Sequence, residues 1–599
     1  MAASLEIGRV GAIILRQMRR PIMSLLVVYA VAVFGMTVIP GKEIDGQTYY
    51  MSLFHAFYFI SYTATTTGFG EIPDEFSEAQ RIWAIACLYV SVIAWFYAIG
   101  AIIRLIQNPY FRLALAERNF ANSVERIIGP FYILCGFGDT GSLLARGLSD
   151  ARIPTVVLEA DEARVQALTL RDYKVPMPGL CADASIPIHL QEAGLERLNC
   201  KAVIAATNNE EVNLRISAIV SLLNSNAMIV TRSRVDVFEE TLSSWSRNLH
   251  IVDPFKVFAK GLSAAIFNPV LYMFNEWLVG APGATSARLS RWLDGTLEPR
   301  VRVPPKGKWI ICGYGRMGHE AHEMLAKNGL KVAVIDPHPG RSDEDGLSQY
   351  VVGRTTAKTL RNAGIEDAVG ILAGTDDDGH NLGILLNARA LNPNLFVIVR
   401  QNRHANEVAF NKANADIIMQ PSLVTARRIL LTLIAPLLKP FFKLLLRLPE
   451  NIKEEFMNNL LRRLVETVGD EKPHLLTLDI NDETSSAVVE LLDREETVLL
   501  GDVLRNPVDR EHYIDTVPLV VCSEPSQNCS DTAIQVLPGN DYAINKGDQL
   551  LLCGREKAHR LFDSTLNNEY ALHYLRTGKE KPRGFLMQWL VKRYPPLAG

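Results

Sequence analysis

Residues 63–71 read Thr-Ala-Thr-Thr-Thr-Gly-Phe-Gly-Glu, and the meaning of this stretch decides the fold around it. Just before it, 52–64 read Ser-Leu-Phe-His-Ala-Phe-Tyr-Phe-Ile-Ser-Tyr-Thr-Ala, which is apolar but too short to cross a bilayer. A run without a charged residue lies on either side, 18 residues over 22–39 and 22 residues over 82–103. At about 1.5 Å per residue each can cross a hydrocarbon core of roughly 30 Å. The pattern therefore predicts a span, a re-entrant helix, a glycine-containing segment and a second span. Irregular backbone at membrane depth survives only where protein buries it or where it lines a water-filled path.

The flanks set an orientation. Residues 1–21 carry Arg9, Arg16, Arg19 and Arg20 against one acid. Residues 104–126 carry Arg104, Arg112, Arg118 and Arg126. Between the spans, Lys42 and Arg81 face six acids: Glu43, Asp45, Glu71, Asp74, Glu75 and Glu78. Positive charge stays inside, so both termini are expected in the cytoplasm and 40–81 outside. The stretch 5–18 reads as amphipathic and suits the inner interface. No small-residue cleavage site follows the first run, and a second span does, so a cleaved signal peptide fits poorly. A third apolar stretch, 429–446, is broken by Pro436, Lys439, Pro440 and Lys443 and reads as a buried helix pair at a subunit interface.

Consecutive carbonyls can face one axis and replace the water shell of a potassium ion only under one condition. Some residues must adopt backbone conformations closed to ordinary L-residues, which Gly68 and Gly70 allow. Phe69 can pack outward between them, and the Thr66 hydroxyl can supply an innermost ring of oxygens. A plain glycine turn is the alternative, but it would need neither the spans nor the helix. Residues 63–71 resemble the pore signature of the two-span potassium channels, whose usual core is Thr-Val-Gly-Tyr-Gly-Asp. Three departures stand out: Thr67 for Val, Phe69 for Tyr and Glu71 for Asp. Phe69 lacks the hydroxyl that would anchor the filter from behind. The resemblance implies a selectivity filter of Thr66, Thr67, Gly68, Phe69 and Gly70, with K+ held at Thr66, Thr67, Gly68 and Phe69. One hairpin is a quarter of such a pore, so it also implies a homotetramer. No Arg-rich helix precedes the pore, so voltage is not the expected stimulus.

The remaining chain of this 599-residue protein is a repeat. Phe-Tyr-Ile-Leu-Cys runs into Gly136-Phe137-Gly138-Asp139-Thr140-Gly141, and Trp-Ile-Ile-Cys into Gly313-Tyr314-Gly315-Arg316-Met317-Gly318. Each turn follows an apolar run and opens a helix. Each is followed, 23 residues after its first glycine, by an acid ending a second strand: Glu159 and Asp336. Thr207-Asn208-Asn209-Glu210-Glu211-Val212-Asn213 matches Thr375-Asp376-Asp377-Asp378-Gly379-His380-Asn381, and Ile-Val-Thr-Arg232 matches Val-Ile-Val-Arg400. Alternating strands and helices predict a doubly wound parallel sheet, twice.

The glycine turns carry chemistry. The first two glycines permit a tight turn and close approach of a pyrophosphate, and the third lets helix pack on strand. The helix N-terminus attracts phosphate. Glu159 and Asp336 can accept hydrogen bonds from ribose hydroxyls and disfavour a 2′-phosphate. NAD(H), ADP or ATP is therefore expected rather than NADP. The plainer alternative is a Rossmann fold that keeps its glycines for packing. Asp183 stands at the third strand of the first repeat. The second repeat reads Gly353-Arg354-Thr355-Thr356 there and lacks the acid, so its ligand can differ. Arg316 could pair with a phosphate. Asp376, Asp377 and Asp378 precede a helix, where capping is the expected role. Ca2+ stays a further candidate ligand with no site assigned.

These features resemble the RCK domain, the regulator of potassium conductance also found in Trk-type subunits (TrkA-N and TrkA-C). The expected fold class is a membrane α-helical pore hairpin, two spans plus a re-entrant helix, followed by α/β. The α/β part holds two Rossmann-like doubly wound RCK domains and a small C-terminal α+β lobe. The expected parts are an interfacial segment 1–20, a pore domain 21–108, a linker 109–127 and a first RCK domain 128–280. A linker 281–306, a second Rossmann lobe with crossover helices 307–470, a C-terminal lobe 471–575 and a basic tail 576–599 follow. Lys plus Arg number 62 and Asp plus Glu 65, which argues against a nucleic-acid partner. The eight cysteines are scattered, so reduced thiols are expected. Together the resemblances imply a nucleotide-gated potassium channel in a bacterial inner membrane, with a lipid bilayer and a small nucleotide as partners. A soluble Trk-type regulatory subunit lacks the spans and the filter. An NAD-dependent oxidoreductase would need an acid/base constellation that does not stand out.

Overall fold

The computed structural model describes all residues except 1, 45–46, 73, 234–247, 280–284, 287–288, 290–303, 339–348, 524–532 and 582–599. The chain divides into two compact units: residues 1–128, with the short pieces 178–180 and 192–194, and the remainder to 599.

The first unit is helical. Helix α1 spans Ala2–Val38, α2 spans Leu53–Ala64, α3 spans Glu78–Gln107 and α4 spans Pro109–Glu125. Within α1, the segment Gln17–Val38 is long and apolar enough to cross a membrane, and so is α3. The 12-residue α2 is roughly 18 Å long and cannot cross. A small hairpin of β1 (Glu43–Ile44) and β2 (Gln47–Thr48) precedes it. Ser52 caps α2, and Ser77 with Gln80 closes a capping box on α3. These caps fix where helix yields to the irregular segment between them. The side chains of the stretch expected at the inner interface lie outside the described residues, apart from Ile14, Gln17 and Met18.

Two six-stranded parallel sheets follow along the chain. The first takes β3 (Phe131–Cys135), β4 (Thr155–Glu159), β5 (Gly179–Cys181), β6 (Cys200–Ala205), β7 (Met228–Arg232) and β8 (Leu249–Val252), in the order β5-β4-β3-β6-β7-β8. The second takes β9 (Trp309–Cys312), β10 (Val332–Asp336), β11 (Gln349–Val352), β12 (Gly370–Ala373), β13 (Phe396–Arg400) and β14 (Ile417–Met419), in the order β11-β10-β9-β12-β13-β14. Numbered within each sheet, both read 3-2-1-4-5-6, the Rossmann order. Strands such as β9 and β10 are buried at every residue because helices cover both faces.

The two sheets exchange helices. Pro254–Phe267, which follows the first sheet, packs on Arg316–Lys327 of the second, placing Phe255, Leu262 and Ile266 in the second core. Pro421–Ile434, which follows the second sheet, packs on Asp139–Asp150 of the first and adds Ala426, Ile429 and Leu433 to that core. Pro421–Ile434 turns by 97° into Leu438–Arg447. Phe441 and Leu445 then join a third core with the C-terminal lobe. The stretch 429–446 is thus a bent helix pair packed on two cores of this chain.

The C-terminal lobe is a four-stranded antiparallel sheet, β15 (His474–Asp479), β16 (Thr516–Cys522), β17 (Ile534–Val536) and β18 (Gln549–Gly554), in the order β15-β18-β16-β17. Helices Ser486–Asp493, Glu556–Leu566 and Glu569–Thr577 accompany it. Six described cysteines are free, but Cys522 is in a disulfide whose partner lies outside the described residues. That corrects the expectation of reduced thiols throughout. Most of the linker 281–306 and of the tail 576–599 also lies outside the described residues.

Candidate ion path and nucleotide sites

The segment after α2 alternates in backbone hand. Thr66 has φ +58°, Gly68 φ +71° and Gly70 φ +90°, while Thr67 and Phe69 are not positive. Such alternation turns successive carbonyls toward one side of the chain. Gly68 and Gly70 were legible as the residues permitting it. Thr66 was not, because a β-branched residue at positive φ is strained. Two main-chain bonds hold it there: Thr66 N donates to Thr63 O at 3.1 Å, and Thr67 N to Tyr62 O at 2.9 Å. Strain of this kind persists where surroundings over-determine it, commonly at functional sites.

Aromatic rings back the segment. Phe69 stacks on Tyr58 with centroids 6.4 Å apart and meets Tyr62 edge-on at 5.4 Å. The Tyr62 hydroxyl donates to the Gly70 carbonyl. Glu71 accepts from Arg81 Nε at 2.8 Å and from the Phe76 amide at 2.9 Å. The Arg81 hydrogen bond is the leading reason its carboxyl is held below the usual range.

Both glycine turns sit where the strand order reverses, the place at which such sheets bind ligands. Gly136 has φ +98°, and a Cβ there would lie 3.0 Å from Thr207 N. Gly313 has φ +92°, and a Cβ there would lie 3.0 Å from Thr375 Cγ2. The third glycines are tighter still: a Cβ on Gly141 would meet Gly136 O at 2.0 Å, and one on Gly318 would meet Gly313 O at 2.1 Å. The following helices start at Gly138 and Gly315 as N-caps with no side-chain cap. Their first amides are therefore not taken by a capping side chain and suit a phosphate.

The acids are placed beside the turns but already engaged. Glu159 accepts from the Phe137 and Asp161 amides, the latter at 3.0 Å. Asp336 accepts from Tyr314 N at 2.7 Å and His338 N at 2.9 Å. Both Glu159 oxygens and Asp336 Oδ2 retain a second lone pair for a ribose hydroxyl, whereas Asp336 Oδ1 is also met by His338 Nδ1 at 3.1 Å. Side chains of Phe137, Thr140, Tyr314 and Met317 are buried in the cores, so only their backbone could meet a ligand. Asp139 is exposed on the first helical turn. Asp183 is exposed and bonds Ser185 N at 2.8 Å, which is the main cause of its lowered pKa. Arg164, not singled out by sequence, lies 3.8 Å from Glu159 and approaches Gly138.

Arg316 is committed elsewhere. Its Nη1 pairs with Glu210 Oε1 of the first repeat at 2.8 Å, and its guanidinium lies over the Phe255 ring. Arg400 stacks on the same ring at 4.9 Å. Arg232 and Arg400 both have lowered pKa values, first through burial and also through Arg316. The acids at 376–378 cap a helix: Asp377 accepts from His380 N at 2.7 Å. Asp378 accepts from the Asn402 and Arg403 amides and from the Asn402 and Asn406 side chains. Burial opposes its charge, and those bonds outweigh it to hold the pKa low. Among the described residues no group of three or more His, Cys, Asp or Glu is placed to hold a metal.

Comparison with known proteins follows these boundaries. Residues 22–108 match the ion channel family, and residues 132–252 and 309–421 each match the TrkA-N domain. The chain joins an ion-channel domain to two TrkA-N domains. Potassium channel protein 1 of Methanocaldococcus jannaschii is 26% identical over 181 residues, 30% of this chain and 52% of that protein. A Trk system potassium uptake protein TrkA homolog of Pyrococcus horikoshii is 32% identical over 138 residues, 21% of this chain and 60% of that protein. The matches thus span between 29% and 60% of the lengths of the curated relatives. A solved structure of the GsuK channel bound to NAD aligns with 93% of this chain and 100% of that one, at 15% identity and a TM-score of 0.46. At that likeness the ligand of one chain says nothing about the ligand of the other. The ion-channel domain and its two apolar helices make this a membrane protein.

Proposed function

We propose that the chain is the subunit of a homotetrameric potassium channel gated by a nucleotide bound to its TrkA-N domains. The carrying observation is the alternation of φ at Thr66, Gly68 and Gly70, at the end of a short helix between two apolar helices. K+ would be held by carbonyls of Thr66, Thr67, Gly68 and Phe69, and by the Thr66 hydroxyl at the inner end. The six acids of 40–81 would concentrate cations at the outer mouth. Both termini would be cytoplasmic, in a bacterial inner membrane.

The regulatory ligand is NAD(H), ADP or ATP. Gly136, Gly138 and Gly141 with Glu159, and Gly313, Gly315 and Gly318 with Asp336, would seat its pyrophosphate and ribose. Shifting a pore from 1:99 to 99:1 takes about 5.5 kcal/mol of differential binding. Over four to eight sites that is roughly 1 kcal/mol each, an ordinary coupling energy. The segment 108–127 would carry the shift to the second span.

The test is a planar bilayer with potassium on one side and sodium on the other. NAD, ADP and Ca2+ are added in turn to the side bearing the TrkA-N domains. A potassium-selective current that a nucleotide raises or lowers is expected, and Glu159→Ala and Asp336→Ala then assign the site. Folded tetramer that passes no potassium current under any of these ligands overturns the proposal.

A further inference from the structure

Residue 62 touches the proposed filter twice. Its main-chain oxygen accepts from Thr67 N at 2.9 Å, and its side-chain hydroxyl donates to the Gly70 carbonyl. One tyrosine therefore brackets residues 67 to 70 from both ends. Its ring is 5% exposed and wedged edge-on among Tyr58, Phe59 and Phe69, each centroid 5.4 Å away. The hydroxyl is aimed by that packing and has little freedom to swing. Phe69, inside the bracket, has no hydroxyl of its own to fix the segment from behind. Outside the bracket, Arg81 holds Glu71 at 2.8 and 3.1 Å, so residue 71 is tied as well.

We propose that Tyr62 is the positioning residue for ion discrimination in this chain, its hydroxyl replacing the anchor that Phe69 cannot provide. The proposal rests on the reading of 66–70 as a filter. Carbonyl dipoles pointing at one axis repel one another, and an empty filter holds its width only through bonds on its outer side. The bond to Gly70 is such a bond. Removing the hydroxyl frees the outer end to move, and a looser ring fits sodium better.

The experiment uses the full chain in a planar bilayer under mixed potassium and sodium. Tyr62→Phe removes one oxygen and leaves the ring packing. The expected result is a potassium-over-sodium permeability ratio lower by roughly five- to tenfold, the change one ordinary hydrogen bond supplies. Current should also fade faster when outer potassium is removed, while the nucleotide dose dependence stays put. Adding Phe69→Tyr to Tyr62→Phe returns a hydroxyl behind the segment and should restore the ratio. A merely structural tyrosine would not be rescued from another position. If Tyr62→Phe passes no current, protection of the purified protein against heat by potassium over sodium is read instead. Loss of that protection, regained with Phe69→Tyr, supports the proposal. An unchanged ratio, unchanged protection or failed rescue overturns it. Wild-type protein that passes no selective current fails the channel reading itself, whereas a selective wild type with an indifferent Tyr62→Phe fails only this one.

Discussion

Arg316 Nη1 lies 2.8 Å from Glu210 Oε1, and this pair ties the glycine turn of the second TrkA-N domain to the first. Glu210 opens the helix after β6, while Arg316 opens the helix after β9. Both side chains are partly exposed, so as an isolated bond the pair is worth no more than about 1 kcal/mol. Its surroundings change the account. Arg232 and Arg400 lie close enough to Arg316 for its charge to lower both of their pKa values, and Glu210 opposes that effect at Arg232.

The consequence is an asymmetry between two substitutions. Glu210→Gln leaves the guanidinium groups less compensated and should cost about 1–2 kcal/mol. Arg316→Gln removes a cation from the cluster as well as the pair, and should cost less than half of that. Denaturant unfolding of the two variants, with the double variant closing the cycle, measures both terms. Equal losses would contradict the charge argument.

Phe255 is the apolar seat of this cluster. It is 4% exposed, belongs to the exchanged helix and carries Arg316 and Arg400 on its ring. Phe255→Ala should cost about 3–5 kcal/mol, as emptying a buried aromatic site does. Phe255→Leu keeps most of the volume but not the ring face, and should fall between. Thermal unfolding orders the three proteins, and a Leu variant as unstable as the Ala variant would place the energy in the ring stacking instead of the packing.

The glycines of each turn divide into two kinds. Gly141 and Gly318 have no room for a Cβ, whereas nothing lies within 4 Å of one on Gly315. Gly318→Ala should destabilise by about 1–3 kcal/mol through overpacking. Gly315→Ala should fold as well as the wild type and, on the proposed nucleotide site, bind nucleotide more weakly at that turn, because its methyl would stand where the proposed phosphate approaches. Calorimetric titration with ADP on each folded variant separates the two effects.

Much of this was legible because it is periodic or short-range. Spans, re-entrant helix and glycine turns are patterns within a few residues, and the duplicated sheets announced themselves through matched motifs. The match reaches single bonds: Thr207 Oγ1 donates to Asn213 Oδ1 at 2.6 Å and Thr375 Oγ1 to Asn381 Oδ1 at 2.7 Å. Asn213 and Asn381 then donate to the carbonyls of Arg232 and Arg400. What the sequence withheld is long-range or conformational. No residue type signals that Thr66 takes a positive φ, since threonine normally avoids it. The exchange of helices, and so the meeting of Glu210 with Arg316, depends on how two similar halves pack. Arg232 and Arg400 occupy equivalent places in the repeats, a clue visible in sequence whose meaning needed the fold.

The C-terminal lobe makes a prediction about acid. His559 Nδ1 lies 2.8 Å from His474 Nδ1, and His559 Nε2 lies 2.9 Å from Thr516 Oγ1. Two Nδ1 atoms can share a hydrogen bond only if one of them is unprotonated. Burial, and then the neighbouring His474, lowers His559 to about 3. Burial is also the first cause of the lowered pKa of His474. In the unfolded chain a histidine takes its proton near pH 6.5. Between about 6.5 and about 3, then, the unfolded chain binds a proton that folded His559 refuses. Stability present above pH 6.5 is therefore lost as pH falls through that window, at up to about 1.4 kcal/mol per pH unit for this residue. His559→Gln has no such proton to gain. Its stability at pH 7 should be lower, because a buried bond is altered, but its decline from pH 6.5 to pH 5 should be distinctly shallower. Denaturant unfolding of the full chain, followed through the C-terminal lobe at several pH values, reads the two slopes. Parallel slopes would remove His559 from the acid response.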